Sequence, residues 1–178
     1  MLLLINWLIS KKSNYNHPQK TKPHKQTFYP KGCYLFVRLL YAFMETPAFE
    51  LEMKVRDYEC DMQGVVNNAI YQNYLEHTRH EFLTQLGENF DQWTREGILP
   101  MVHKATLEYK CSLRSGDRFR VTLRIKRSGI KYHFLQDIYR MSDQKHCLKA
   151  CIEIATIANG RISRGDEFQT LFAPYLIE

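Results

Sequence analysis

At 178 residues the chain has enough material for one domain with a real core and too little for two ordinary ones. Its composition is globular, and it contains no run of about 18 apolar residues that could span a bilayer. The formal charge of +6 divides unevenly: residues 1–43 carry seven Lys/Arg and no acid, while residues 44–178 come to −1, which excludes the usual basic nucleic-acid footprint on the folded body.

In chain order, residues 1–43 stand apart from the fold. Met1 to Ser10 is apolar for only about ten residues, and Lys11-Lys12 follow it instead of preceding it. No small-residue cleavage site comes next, which is the wrong order for a secretory signal. Lys, Asn, Tyr and His dominate the stretch, unlike the Arg- and Ser-rich mix of a transit peptide. The preferred expectation is that Met44 is the true start and that 1–43 is an upstream artefact. A disordered extension comes second, a targeting segment third.

From Met44 the pattern becomes regular. Phe49, Leu51, Met53 and Val55 alternate with Glu50, Glu52, Lys54 and Arg56, which predicts a half-buried strand over Ala48–Arg56. A loop from Asp57 to Val66 follows. Tyr71, Tyr74, Leu75, Thr78, Phe82 and Leu86 fall on one stripe at helical spacing, predicting a helix from about Asn68 to Leu86. Asn67 or Asn68 is its expected N-cap and Gly87 the residue just past its end. Asn89 to Glu96 adds a short helical turn. Four strands are predicted next: Leu99–Cys111, Arg118–Arg127, Lys131–Met141 and His146–Ala158. They are separated by Ser115-Gly116-Asp117, Ser128-Gly129 and Ser142-Asp143. The last twenty residues read as a short strand or loop, then a brief helix around Asp166–Phe172.

The expected class is α+β, one long helix on a five-stranded antiparallel sheet. A single helix covers one face, so the other face and an edge must meet water or another subunit. A homodimer, or a dimer of dimers giving a homotetramer, is therefore expected. The cysteines (Cys33, Cys60, Cys111, Cys147, Cys151) show no CxxC pair and no zinc-ligand grouping, and a reduced, cytoplasmic setting is expected. Cys147 and Cys151, four apart in one strand, are expected to share a face. His103 is expected to be a buried structural histidine on the apolar face of Met101, Ala105, Leu107 and Tyr109. Tyr71, Tyr74 and Tyr109 read primarily as core, with one ring of the three a candidate to line an acyl pocket, and Glu76, His77, Arg79 and His80 as a solvated helix face.

Chemistry concentrates between Val55 and Tyr71. A strand leaves into a loop bearing Asp57, Glu59 and Asp61, turns at Gly64 and enters the helix. That order sets Asp61 beside a helix N-terminus, whose N–H groups favour negative charge. A carbonyl that gains negative charge during acyl transfer suits such a place: amides polarise its oxygen while a carboxylate attacks or activates water. The plainer reading of Asp61 is a turn residue ahead of Gly64; the helix entry and Tyr71 tip the balance to catalysis. Glu59 is expected to point away from Asp61, and Asp57 to be solvated.

Asp61, Gly64, Val65, Val66 and Tyr71 resemble the motif of the 4-hydroxybenzoyl-CoA thioesterase-like branch of the hot-dog superfamily. Val66-Asn67-Asn68-Ala69-Ile70-Tyr71 is similar to the Val-Asn-Asn-x-x-Tyr signature of plant and bacterial acyl-thioesterases. Leu107-Glu108-Tyr109 and Arg114-Ser115-Gly116-Asp117 match the family's second and third strands, and the likeness covers about Phe49 to Phe172. The resemblance implies a helix wrapped by a curved antiparallel sheet, active sites at dimer interfaces, and hydrolysis of an acyl-CoA or acyl-carrier-protein thioester without metal or cofactor. It implies Asp61 as nucleophile or general base and the Asn68 N–H as holder of the carbonyl oxygen. Gly64, Val65 and Tyr71 are then expected at the substrate, with Lys131 and Arg127 on the CoA phosphates. One departure bears on mechanism. Plant fatty acyl-carrier-protein thioesterases carry Asn and His two and four residues after the Asp, where this chain has Gln63 and Val65, so the simpler Asp arrangement is the one implied. The alternative function is a non-catalytic module that binds acyl-CoA or fatty acid. A dehydratase is disfavoured, because the loop has no His-x-x-x-x-Gly.

Overall fold

The computed structural model describes residues 46–177 apart from Asn89, so the expected extension over 1–43 lies outside the described residues. In chain order the elements are β1 (Phe49–Lys54), α1 (Asn68–Gln85), α2 (Phe90–Arg95), β2 (Ile98–Tyr109), β3 (Arg118–Ser128), β4 (Lys131–Arg140), β5 (His146–Ala158), β6 (Arg161–Ile162) and α3 (Gln169–Phe172). The strands form one antiparallel sheet in the order β1-β3-β4-β5-β2, with β6 paired to β5. The sixth strand adds to the five expected. It arises because Asn159 and Gly160 both take positive φ, at 50° and 76°. An Asn-Gly pair in that conformation folds a strand back in two residues.

Helix α1 forms for the reasons its pattern suggests. Asn67 caps it, its side-chain oxygen accepting from the Ala69 N–H at 3.0 Å. Tyr71, Tyr74, Leu75, Thr78, Phe82 and Leu83 turn inward, with Leu83 in place of Leu86, which becomes the half-buried C-terminal cap. Gly87, at φ 80°, ends the helix: its N–H bonds to the Thr84 carbonyl at 3.0 Å and that of Glu88 to Leu83, also at 3.0 Å. This pair of bonds satisfies two of the orphaned carbonyls.

The helix packs over β1 and β3. Phe119, Val121, Leu123 and Ile125 on the inner face of β3 are all 0 % exposed, each stabilising the fold by roughly 1.5–3 kcal/mol. Beneath the helix, the buried Gln136 side chain donates to the Leu75 carbonyl at 2.9 Å and accepts from Arg79 at 2.9 Å. Arg79 is thus drawn inward, and burial lowers its pKa, whereas Glu76, His77 and His80 are exposed as expected.

Two bulges redirect side chains that strict alternation misplaces. The β2–β5 register shifts between Val102 and Lys104. Beyond it Ala105, Leu107 and Tyr109 pair with Ile152, Ala150 and Leu148 on the inner face, while Met101 lies on the outer one. His103, the extra residue, is exposed and not a buried structural histidine. The β4–β5 register shifts between Ile138 and Tyr139, leaving Cys147 unmatched. Cys147 is consequently buried in the core while Cys151 sits half-buried beside His133, so the two do not share a face.

Candidate active site

The loop between β1 and α1 is a short hairpin. Cys60 bridges Val66, the Asp61 N–H donates to the Val65 carbonyl at 2.9 Å, and the Gly64 N–H donates to the Asp61 carbonyl at 3.0 Å. Gly64 takes φ 72°, and an added Cβ there would meet nothing within 4 Å. Glycine is therefore required for its left-handed backbone and not for space. Asp61 opens the turn, its Oδ1 accepting from the Gln63 N–H at 2.8 Å, and its side chain is exposed. The plain turn role is thus realised, whatever else Asp61 does.

Glu59 is the buried carboxylate of the loop. It accepts from the Tyr74 hydroxyl and from the Arg56 N–H, both at 2.7 Å, and from the Arg56 guanidinium at 3.2 Å. Burial, with Glu59 alongside, raises the Tyr74 hydroxyl well above its ordinary value. Glu59 anchors the loop to the helix while its carbonyl accepts from the Asn67 N–H at 3.0 Å. Asp57 is exposed, as expected.

At the start of α1 the first N–H groups divide sharply. Those of Ala69 and Ile70 are taken by Asn67, each at 3.0 Å. The Asn68 N–H has no hydrogen-bond partner among the described residues. Asn68 lines a cavity of about 210 Å³ together with Val66, Tyr71, Tyr109, Lys110, Cys111 and Ser112. The buried Tyr71 ring stands edge-on to Tyr109 at 5.5 Å, and its hydroxyl accepts from the Leu113 N–H at 3.1 Å. Burial raises the Tyr71 pKa. Tyr109, expected in the core, is instead half open to solvent and donates to the Asn68 carbonyl at 3.1 Å.

The structure therefore joins Asn68 and Tyr71 at one cavity, with Val66 at its edge. Asp61, Gly64 and Val65 lie in the adjoining hairpin and do not line it. Lys110, Cys111 and Ser112 do line it and were missed in sequence. Their only signal was position, directly after Leu107-Glu108-Tyr109.

Arg127 and Lys131 are not brought to this place. The 10 residues of β4, roughly 30 Å of strand, separate Lys131 from Arg140, which bonds the Ser112 carbonyl at the cavity wall at 3.0 Å. Arg127 is spent on the C-terminal segment: it donates to the Gly129 and Arg164 carbonyls, Gln169 and Asp166 at 3.3, 2.9, 3.0 and 2.8 Å. A guanidinium so occupied has little left for a phosphate. Lys131 lies 3.5 Å from Glu153, which Lys104 also approaches at 3.6 Å.

A second, smaller cavity of about 100 Å³ lies farther along α1. Arg79 and Leu83 of the helix, Val102 of β2, and the rings of Trp93, Phe134 and Phe172 are on its wall. A further depression, of about 930 Å³ and open, lies on the β1 side and is lined by Glu59, Tyr74 and His77 but not by Asn68.

A family model, the Thioesterase-like superfamily, matches residues 55–170. The chain belongs to this superfamily. Its curled antiparallel sheet around a long helix is the hot-dog fold. Over 102 residues it is 44 % identical to the chloroplastic acyl-acyl carrier protein thioesterase ATL3 of Arabidopsis thaliana, covering 57 % of this chain and 54 % of that protein. The chain thus spans about half the length of the curated relatives it first matches. The solved structure of a hypothetical protein from Aquifex aeolicus is 29 % identical with a TM-score of 0.60, covering 64 % of this chain and 90 % of that one. A 12:0-ACP thioesterase from Umbellularia californica is 14 % identical with a TM-score of 0.66, covering 73 % of this chain and 51 % of that one, and shares the fold.

Proposed function

We propose that the protein hydrolyses acyl thioesters, releasing a carboxylic acid from an acyl-carrier protein or from acyl-CoA. The observation that carries this reading is the unpartnered Asn68 N–H at the opening of α1, beside a cavity, in a chain of the Thioesterase-like superfamily. A helix N-terminus with an amide to spare stabilises the negative oxygen that forms when a thioester carbonyl is attacked. Asp61 supplies the attack, directly or by taking a proton from water. Oxygen adds to the carbonyl carbon and the C–S bond breaks. Where water attacked, the thiolate takes back the proton Asp61 removed. Where Asp61 attacked, water supplies that proton and then splits the acyl-aspartyl anhydride to release the acid. The similarity to a plant acyl-acyl carrier protein thioesterase favours a carrier-protein substrate. Lys110 at the cavity replaces Arg127 as the cation for the substrate's phosphate.

The site is completed by a second copy of the chain. Among the described residues, strand β2 lies at an edge of the sheet and pairs with β5 alone, and it carries Leu99, Met101, Val102 and Tyr109 at between 37 % and 55 % exposure. Such an edge invites another strand. Two copies pairing along β2 bring partner residues towards the Asn68 cavity, where Tyr109 ends the strand, and give the exposed Asp61 a substrate to face. A homodimer is the minimum assembly, and a homotetramer follows if two dimers associate. Light scattering on the purified chain measures this, and Met101→Lys is expected to shift it to the monomer.

One observation favours a second reading. Asp61 closes on its own turn and lines no described cavity, as it would in a module that binds acyl-CoA or fatty acid without cleaving it. A thiol-trapping dye with a panel of acyl-CoAs and acyl-carrier proteins separates the two. Thiol release that Asp61→Asn abolishes supports hydrolysis, and binding without release supports the module.

A further inference from the structure

Beside the Asn68 cavity, the chain carries a feature that thioester hydrolysis does not use. Past the end of β2, the N–H groups of Lys110 and Cys111 both donate to the Cys147 carbonyl, at 2.8 and 3.2 Å. This two-against-one bulge brings the backbones of Cys111 and Cys147 into direct hydrogen-bonded contact, and neighbouring backbones of this kind are where disulfides form, at roughly 4.4–6.8 Å between Cα atoms. Both thiols are free.

Their surroundings differ in a way that assigns them different parts. Cys111 is half-buried and lines the cavity with Asn68. Arg140 donates to its sulfur at 3.4 Å, and that guanidinium is itself locked by Asp143 at 3.0 and 2.9 Å and by the Ser112 carbonyl at 3.0 Å. A fixed cation therefore stands beside the accessible sulfur, the kind of setting in which thiols react. Cys147 is fully buried, and burial, with Cys111 beside it, pushes its thiol up to about 11. It keeps its proton. Cys151 is elsewhere, on the outer face 3.8 Å from His133.

We propose that Cys111 and Cys147 are a peroxide-sensitive thiol pair whose oxidation closes the Asn68 cavity. The Cys111 sulfur attacks hydrogen peroxide, the O–O bond breaks, and a sulfenic acid and water form. The Cys147 sulfur then displaces that hydroxyl as a second water, its proton leaving with it, and an S–S bond joins the strands. Two thiols and one peroxide yield one disulfide and two waters. The bridge draws the Cys111 sulfur off Arg140 and out of the cavity wall. It also displaces the segment that holds Tyr109 against the Asn68 carbonyl at 3.1 Å. The regulatory consequence rests on the hydrolase reading, whereas the chemistry of the pair does not.

The test treats the full chain with hydrogen peroxide, removes the peroxide with catalase, blocks remaining thiols by alkylation and maps the peptides by mass spectrometry. Thiol release from acyl-CoA and from acyl-carrier protein is followed on the same samples. The expected result is a 111–147 cross-link lighter by two hydrogens than the two peptides. Turnover should fall by roughly tenfold to a hundredfold, the scale of an ångström's misplacement at a reacting centre, and return after reduction. Cys147→Ala should keep the reduced activity and form no cross-link; Cys151→Ala should behave as the parent. Separately alkylated Cys111 and Cys147 after oxidation would overturn the pair, and a cross-linked protein with unchanged turnover would overturn its effect on the cavity. A reduced protein that releases no thiol yet forms the bridge would overturn the hydrolase reading while upholding the pair.

Discussion

Strands β3 and β2 start from much the same local material and end in opposite situations. Both are long, of eleven and twelve residues; β3 alternates apolar with polar residues along its length, and β2 does so from Lys104 on, after the apolar run Ile98–Val102. Strand β3 lies between β1 and β4 with α1 above it, and four of its side chains are wholly buried. Strand β2 has one neighbour among the described residues, and its inner residues Val102 and Tyr109 remain half exposed. The closed side holds the fold together, and the open side holds the cavity, the free amide and the unpaired edge. Stability and function are therefore separable by position in the sheet, because burial that stabilises a strand also denies it a substrate.

The contrast is most exposed to failure at Asp61. Asp61→Asn should cost about 10²–10⁴-fold in thioester turnover, with the melting temperature unchanged because the side chain is exposed. Unfolding of this variant at the parent's temperature with activity retained would place function elsewhere. On the closed side, Leu123→Ala should destabilise by about 2–5 kcal/mol in chemical denaturation. Met101→Ala on β2 should change stability by less than about 0.5 kcal/mol at concentrations where the chain is monomeric. Equal losses at the two positions would mean that β2 is covered after all.

Between the two sides stands the helix start. Asn67→Ala removes the cap that occupies the Ala69 N–H at 3.0 Å, and should cost about 1 kcal/mol. It should lower turnover as well, since the amide beside it would no longer be held in place; thermal melts and thiol release on one preparation check both. The smallest effect concerns Asp143, whose carboxyl the Arg140 guanidinium holds well below the usual carboxylate range. A carboxyl depressed in the folded state stabilises at pH values above its unfolded pKa, about 3.9, and loses that contribution as the pH falls through the folded value. The melting-temperature gap between the parent and Asp143→Asn should be full at neutral pH and close in acid, as thermal melts across that range would show.

Much of this was legible before any coordinates. The stripe from Tyr71 to Phe82, the cap at Asn67 and the stop at Gly87 are local, because helical spacing and terminal hydrogen bonding involve residues near one another in the chain. The five long strands were legible for the same reason. What failed was alternation carried through a bulge. His103 and Cys147 each add one residue to a strand, and a single added residue sends everything beyond it to the other face. The setting of Arg127 was hidden for a different reason: its partners Arg164 to Gln169 are far away in sequence, so nothing local showed where its donors go.

The amino-acid order by itself determined the elements, the loop ahead of the helix and Asn68 as the residue at its mouth, since each depends on contacts within a few positions. Only the tertiary structure decided that Lys110, Cys111 and Ser112 share the cavity with Asn68, that Arg127 does not, and that Cys111 meets Cys147. Those outcomes follow from sheet order and bulge position, which bring distant segments together by pairing geometry and leave little trace in any one of them.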